Sequence, residues 1–362
     1  WEHRLIAIKG ARGVGKTDFL LARARELEEA HEKCLYVNFN DFYFTQHTLV
    51  EFAKEFVKTG GRYLLLDQMF KYPNWSKELR SCYNKFKDLY IVFSASPVMR
   101  LVEENHDIGA VVKMYNLRGY SFREYLNLHT GMSVQPVTLD ELLAHHEELA
   151  QRICRHCDPM PHFREYLKRG YYPSSSDNEE ADSVILKMMN VMLEVDVLVI
   201  KQIDVTFLPK LRKLLYIMLT SAPCSLNITA IAAEIGLSRI TTMNYIKYLK
   251  DARLLNLLYQ EGKRFPMKPS KVYMQNTNIA YQNGGRTMQD EDIYETYFYH
   301  ALHADYPVNA TERSAMFIVD GKYYFDVFAD APEKPSIRPC AIGNLTIGEG
   351  NNIPLWMLGL LY

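Results

Sequence analysis

Gly10-Ala11-Arg12-Gly13-Val14-Gly15-Lys16-Thr17 constrains this chain more than any other stretch. It follows a short apolar run, Leu5-Ile6-Ala7-Ile8, and leads into an amphipathic stretch that opens Asp18-Phe19-Leu20-Leu21. Strand, glycine-rich loop and helix in that order satisfy the phosphate-binding pattern G-x-x-x-x-G-K-[ST] in full. Glycines let the backbone curl so that successive N–H groups converge on phosphate oxygens. The helix that follows turns its positive end toward the same anion. Lys16 supplies a mobile charge for the outer phosphates, and the Thr17 hydroxyl can ligate Mg²⁺. The stretch therefore predicts a nucleoside triphosphate site built from residues 10–17.

Residues 1–125 alternate short apolar runs with amphipathic ones, the pattern of an α/β fold with a parallel sheet. The expected strands are 5–8, 34–39, 63–66, 89–94 and 111–117, with helices near 17–30, 45–58, 74–85 and 97–104. Tyr63-Leu64-Leu65-Leu66-Asp67 is an apolar run that ends in a carboxylate, the Walker B position of P-loop proteins. An acid at the carboxyl edge of a buried strand, next to the phosphate loop, orients the Mg²⁺ water shell. Asp67 and Thr17 are thus the expected metal residues. At the end of the fourth strand, Ser94 or Ser96 offers a small polar group beside the γ-phosphate. Arg118 and Arg123 stand where a charge-stabilising arginine could act, and Ser121 with Glu124 forms a capping box.

Composition narrows the partners. Lys and Arg number 42 against 43 Asp and Glu, a net charge of −1, so no overall field advertises nucleic acid or an anionic membrane. No apolar run approaches the roughly 20 residues that a membrane helix needs. Six cysteines in 362 residues make no disulfide framework, so reduced thiols and a cytoplasmic location are expected. The 25 tyrosines are spread along the chain and read as core. Cys154-x-x-Cys157, near His156 and His162, raises zinc, but no second such pair follows and the spacing fits one side of a helix.

Residues 138–200 read as helical, broken by the turn-rich Gly170-Tyr-Tyr-Pro-Ser-Ser-Ser-Asp-Asn. Further on, helices over 211–219, 228–235 and 239–250 are joined by the turn Gly236-Leu237-Ser238, and runs at 254–259 and 271–274 make a hairpin wing. That is the order of a winged helix-turn-helix. Arg239, Thr241, Thr242, Asn244 and Lys247 could then meet DNA, with Lys263 and Arg264 reaching phosphates. The same module also serves protein packing. Residues 276–362 return to mixed α/β, with a helix carrying Glu295, a hairpin around Asp320-Gly321 and an apolar final stretch expected to dock on its own domain.

Together these residues resemble a prokaryotic family of AAA-type ATPases, in which a P-loop domain precedes a winged helix and a restriction-endonuclease-like domain. The resemblance rests on residues 10–17, Leu66-Asp67 with Lys71-Tyr-Pro-Asn-Trp75, Val92-Phe-Ser-Ala-Ser96, Ser121-Phe-Arg-Glu-Tyr-Leu126 and Ile353-Pro-Leu-Trp356. It implies an α/β P-loop NTPase (AAA-like) domain at 1–130, a helical lid at 131–205, a winged helix at 206–275 and a small C-terminal α/β domain at 276–362. It also implies binding of ATP and ADP with Mg²⁺, and the absence of an Asn-Lys-x-Asp motif favours ATP over GTP. Four departures bear on activity. Gln68 stands where the family has a catalytic Glu; a carboxamide can hold a water but cannot take its proton. Asp18 and Asp41 are the nearest substitutes. Ser94-Ala-Ser-Pro97 replaces Thr-Gly-Ser-Ser, Gly109 and Ala110 replace an arginine, and Asp326-Val-Phe328 lacks a nuclease lysine. The expectation is nucleotide binding with slow hydrolysis and no nuclease activity. The alternatives are a nucleotide-regulated DNA-binding protein acting through Arg239, Thr242 and Lys247, or an interaction scaffold for a protein partner.

Overall fold

The computed structural model describes residues 2–99, 106–176, 180–283, 288–311 and 315–362. Contacts divide the chain into residues 1–119 and residues 120–362. In the first unit, β1 (Leu5–Lys9), β2 (Cys34–Asn38), β3 (Tyr63–Asp67), β4 (Tyr90–Ala95) and β5 (Lys113–Asn116) form one parallel sheet, ordered β2-β3-β4-β1-β5. Between them lie α1 (Lys16–Glu29), α2 (Leu49–Lys58), α3 (Trp75–Lys85) and the single turn α4 (His106–Gly109). β1 connects toward the β2 edge, whereas β2, β3 and β4 each connect the other way. Such a reversal opens a crevice at the carboxyl ends of the strands, and the glycine-rich loop leaves β1 there.

The two-residue side-chain period decides which groups share a face. Tyr63 and Leu65 of β3 pack with Ile8 and Val92 beneath Leu20 and Leu27 of α1, and Asp67 continues that row. Burial of Leu20 and Leu27 contributes roughly 1.5–3 kcal/mol each. Leu64 and Leu66 are buried on the opposite face, so every residue of β3 is buried. A continuous apolar run with one terminal acid is what a central parallel strand requires.

Some expected boundaries move for local reasons. The helix expected over 45–58 begins at Leu49, because Thr48 and Glu51 close a capping box, and a 3-10 turn (Phe42–Thr45) precedes it. Pro97 and Val98 lie in a turn and Met99 is not helical; residues 100–104 of the helix expected over 97–104 fall outside the described residues. Val111 and Val112 donate to the Ile108 carbonyl, which shortens β5 relative to 111–117.

The second unit begins with α5 (Phe122–Thr130), α6 (Leu139–Cys154), α7 (Pro159–Glu165) and α8 (Ala181–Val191). π-helical segments follow α7 (Tyr166–Gly170) and α8 (Met192–Val199). Next come α9 (Leu208–Ser221), α10 (Ile228–Ile235) and α11 (Arg239–Asp251), then an antiparallel ribbon of β6 (Leu255–Leu258) and β7 (Lys271–Met274). Gly236 ends α10 at φ 66°, and Ser238 caps α11 through the Thr241 N–H. After α12 (Thr277–Ala280) and α13 (Asp290–Leu302) comes a mixed sheet of β8 (Val308–Ala310), β9 (Phe317–Val319), β10 (Tyr323–Phe328), β11 (Cys340–Ile342) and β12 (Asn352–Pro354). β9 and β10 form the hairpin around Asp320-Gly321, both at positive φ. The final turn, Leu355–Leu360, is wholly buried. Among the described residues no helix is long and apolar enough to cross a membrane.

Candidate functional site

The loop between β1 and α1 takes its shape from its three glycines. Gly13 and Gly15 hold φ of 77° and 91°, the left-handed region that side chains resist. A Cβ on Gly10 would lie 2.4 Å from the Leu117 carbonyl oxygen. Lys16 curls back into the loop, donating to the carbonyls of Gly10 at 2.8 Å and Ala11 at 2.6 Å. Ala11 and Val14 are buried, and the Arg12 guanidinium lies 5.8 Å from the Phe70 ring.

Asp67 is 1% exposed and accepts four hydrogen bonds. The Thr17 hydroxyl donates to Oδ2 at 2.7 Å, and the Tyr36 hydroxyl donates to the same oxygen at 3.0 Å. The Gln68 N–H donates to Oδ1 at 2.9 Å and to the Ser94 hydroxyl oxygen at 3.0 Å, and the Ser94 hydroxyl in turn donates to Oδ1. The fold thus brings Thr17, Asp67 and Ser94 together from three elements. Ser96, also buried, accepts the Val98 N–H at 3.4 Å in the turn after β4.

Sequence reasoning missed Tyr36, which belongs to no motif. Its place on β2, two residues before Asn38, which pairs with Asp67, brings its hydroxyl to the carboxylate. Burial and then the Asp67 charge push this phenol up to about 12, so it stays a donor near neutrality. Gln68 sits at φ 57°, directly after the strand, with Oε1 buried and lacking a protein partner. Of the carboxylates considered as substitutes, Asp18 is exposed in the first turn of α1, and Asp41 caps the following turn through the Tyr43 N–H at 2.9 Å. Arg118 follows β5. Arg123 of α5 donates to the carbonyls of Tyr362 at 2.8 Å and Val134 at 3.3 Å, a structural tie.

Two of the residues expected at a DNA surface are corrected. Thr242 is fully buried and its hydroxyl donates to the Ser238 carbonyl at 2.9 Å, so it meets no partner. Lys247 pairs with Asp251 at 2.7 Å, one helical turn on, and its ammonium lies 5.6 Å from the Phe265 ring. Arg239 remains exposed, beside Ile240 at 77% exposure. In the last sheet Asp326 is paired with Arg338 at 2.6 Å, and Glu295 accepts from Lys271 and Tyr273. Burial raises the thiols of Cys154 and Cys157, which disfavours the thiolate that a metal would need.

Residues 2–126 match the AAA domain family (AAA_14), and residues 160–288 match a domain of unknown function (DUF8612). Uncharacterized protein MJ1637 of Methanocaldococcus jannaschii is 22% identical over 275 residues, covering 72% of this chain and 58% of that protein. The chain therefore spans less than two thirds of that curated relative. Among solved structures it is similar to Aeropyrum pernix ORC1 in complex with DNA, at a TM-score of 0.32 and 14% identity over 78% of this chain and 85% of that one. It is also similar to AMPPCP-bound DnaA from Aquifex aeolicus, at 0.27 and 15% over 69% and 82%. With the parallel sheet, the glycine-rich loop at its crevice and the family match over the same residues, the chain carries an AAA-type P-loop ATPase domain in residues 2–126.

Proposed function

We propose that the chain binds ATP as its Mg²⁺ complex, with residues 10–17 around the phosphates and Thr17 and Asp67 at the metal, and that hydrolysis is slow. One observation carries the reading: the Thr17 hydroxyl and the Asp67 carboxylate stand 2.7 Å apart where the glycine-rich loop enters α1. Hydroxyl and carboxylate oxygens are the hard donors that Mg²⁺ prefers. Mg²⁺, when bound, neutralises charge on the outer phosphates. Lys16 adds a point charge to the same phosphates, and Ser94 fixes the carboxylate that orients Thr17. Cytoplasmic placement rests on the six free thiols.

Slow turnover follows from Gln68. Its amide cannot accept a proton, and its carbonyl oxygen is buried. Gln68→Glu is expected to raise phosphate release by about a hundredfold, the usual worth of a positioned base. An unchanged rate would put the base elsewhere.

A second reading, nucleotide-regulated DNA binding, takes residues 206–275 as a winged helix. It is supported by a groove between α11 and the loop joining β6 to β7, lined by Arg239, Asn244 and Lys268 together with Ile240, Met243 and Phe265. With Thr242 buried and Lys247 paired with Asp251, Arg239 is the residue to test. Arg239→Ala should lower duplex affinity and flatten its salt dependence by about one phosphate contact in a filter-binding series. An unchanged slope argues for a protein partner on this face. The last domain, 276–362, fits a non-catalytic relative of a nuclease core, since Glu295 and Asp326 are each neutralised by a cation.

A further inference from the structure

A carboxylate offers about four lone-pair positions on its two oxygens. In Asp67 the protein fills all of them: Ser94 and the Gln68 N–H on Oδ1, Thr17 and Tyr36 on Oδ2. An aspartate that orients a Mg²⁺-bound water would accept a hydrogen bond from it, so a donor already in place would have to leave. Ser94 is 2% exposed inside β4, and the Gln68 N–H, shared between Asp67 Oδ1 at 2.9 Å and the Ser94 hydroxyl oxygen at 3.0 Å, is fixed in place by the backbone of the turn that follows β3. Thr17 would hold the metal through its hydroxyl oxygen while still donating its hydrogen bond to Asp67. Tyr36 is the remaining donor. It lies on an edge strand, is only partly buried, and makes the longest of the four bonds, 3.0 Å.

We propose that the Tyr36 hydroxyl occupies the position on Asp67 that a Mg²⁺-bound water would otherwise take, so that the Mg²⁺ complex of ATP proposed above gains little affinity over free ATP while this bond stands. The inference rests on the nucleotide reading of residues 10–17. Tyr36 is a positioning residue, acting through Asp67. Its ring packs against the core beneath α1, and its hydroxyl alone carries the effect. Metal-assisted binding then requires Tyr36 to turn away from the carboxylate.

The test titrates ATP calorimetrically into the full chain, once with EDTA and once with excess Mg²⁺. In the wild type the two affinities are expected to agree within about threefold, while in Tyr36→Phe Mg²⁺ tightens binding by about tenfold. Tyr63→Phe, which deletes a hydroxyl from the same face of the sheet, is expected to keep the wild-type ratio. A wild-type ratio of tenfold or more, no gain in Tyr36→Phe, or an equal gain in Tyr63→Phe overturns the inference and leaves the nucleotide site standing. No binding of ATP under either condition overturns the nucleotide reading itself. If Tyr36→Phe does not fold, the wild-type ratio decides.

Discussion

Lys16→Ala is expected to lower ATP affinity by about a hundredfold or more, beyond detection at ordinary protein concentrations. The ammonium already lies inside the curve of the loop, donating to the carbonyls of Gly10 and Ala11 at 2.8 and 2.6 Å. Phosphate oxygens that enter this curve exchange those neutral acceptors for charged ones, and a hydrogen bond to a charged group contributes about 1.5–3 kcal/mol. A hundredfold corresponds to about 2.7 kcal/mol, so one or two such bonds suffice. Lys16→Arg should not restore binding, because a planar fork does not fit where a compact ammonium reaches two loop carbonyls. Calorimetric titration decides the matter. Wild-type affinity in Lys16→Ala would remove residues 10–17 from the binding site.

The second large effect concerns stability. Trp356→Ala should destabilise the second unit by about 3–5 kcal/mol, the range for deleting a large aromatic from a packed core. Trp356 is 0% exposed, its indole N–H donates to the Thr346 carbonyl at 3.1 Å, and its ring meets Phe122 edge-on at 6.2 Å. Removing it leaves a cavity and an unpaired carbonyl. The neighbouring backbone has little room to collapse, since a Cβ on Gly359 would already meet Phe122 at 2.4 Å. Urea unfolding followed by circular dichroism measures the loss, and Trp356→Phe should recover most of it. A loss under about 1 kcal/mol would mean that the final turn adds little to this core.

How much of the site was legible depended on whether residue type or residue position carried the information. Glycines at 10, 13 and 15, Lys16 and Thr17 announce themselves because only those types perform the backbone and charge tasks of the loop. Asp67 is visible because a lone acid ending the run 63–66 conflicts with burial unless it has work to do. Ser94 and Ser96 were indistinguishable, since both end the same strand with the same chemistry. The register that pairs Ile8 with Ser94 belongs to the folded sheet. Tyr36 was invisible for the same reason, being one of 25 tyrosines until strand pairing sets it beside Asp67.

On α11 the misreading was avoidable. Thr242, Tyr245, Ile246 and Leu249 follow the three-and-four spacing of a buried stripe, and all four are buried. Lys247 and Asp251 stand one turn apart, a spacing that predicts the ion pair observed. Polar character early in a helix does not by itself mean surface, because a threonine can satisfy its hydroxyl on its own helix and lie inside.

The sequence alone determined the phosphate loop, the parallel α/β architecture around it, the cap that starts α5, and the hairpin at Asp320-Gly321. Each of these is local: backbone conformations available to glycine, side chains that complete an adjacent helix end, or a repeat of two or 3.6 residues. The tertiary structure decided the strand order, the four donors on Asp67, and the burial of Thr242 and Glu295. These depend on which distant segments become neighbours, and that is set by the joint packing of many apolar side chains rather than by any short stretch of chain.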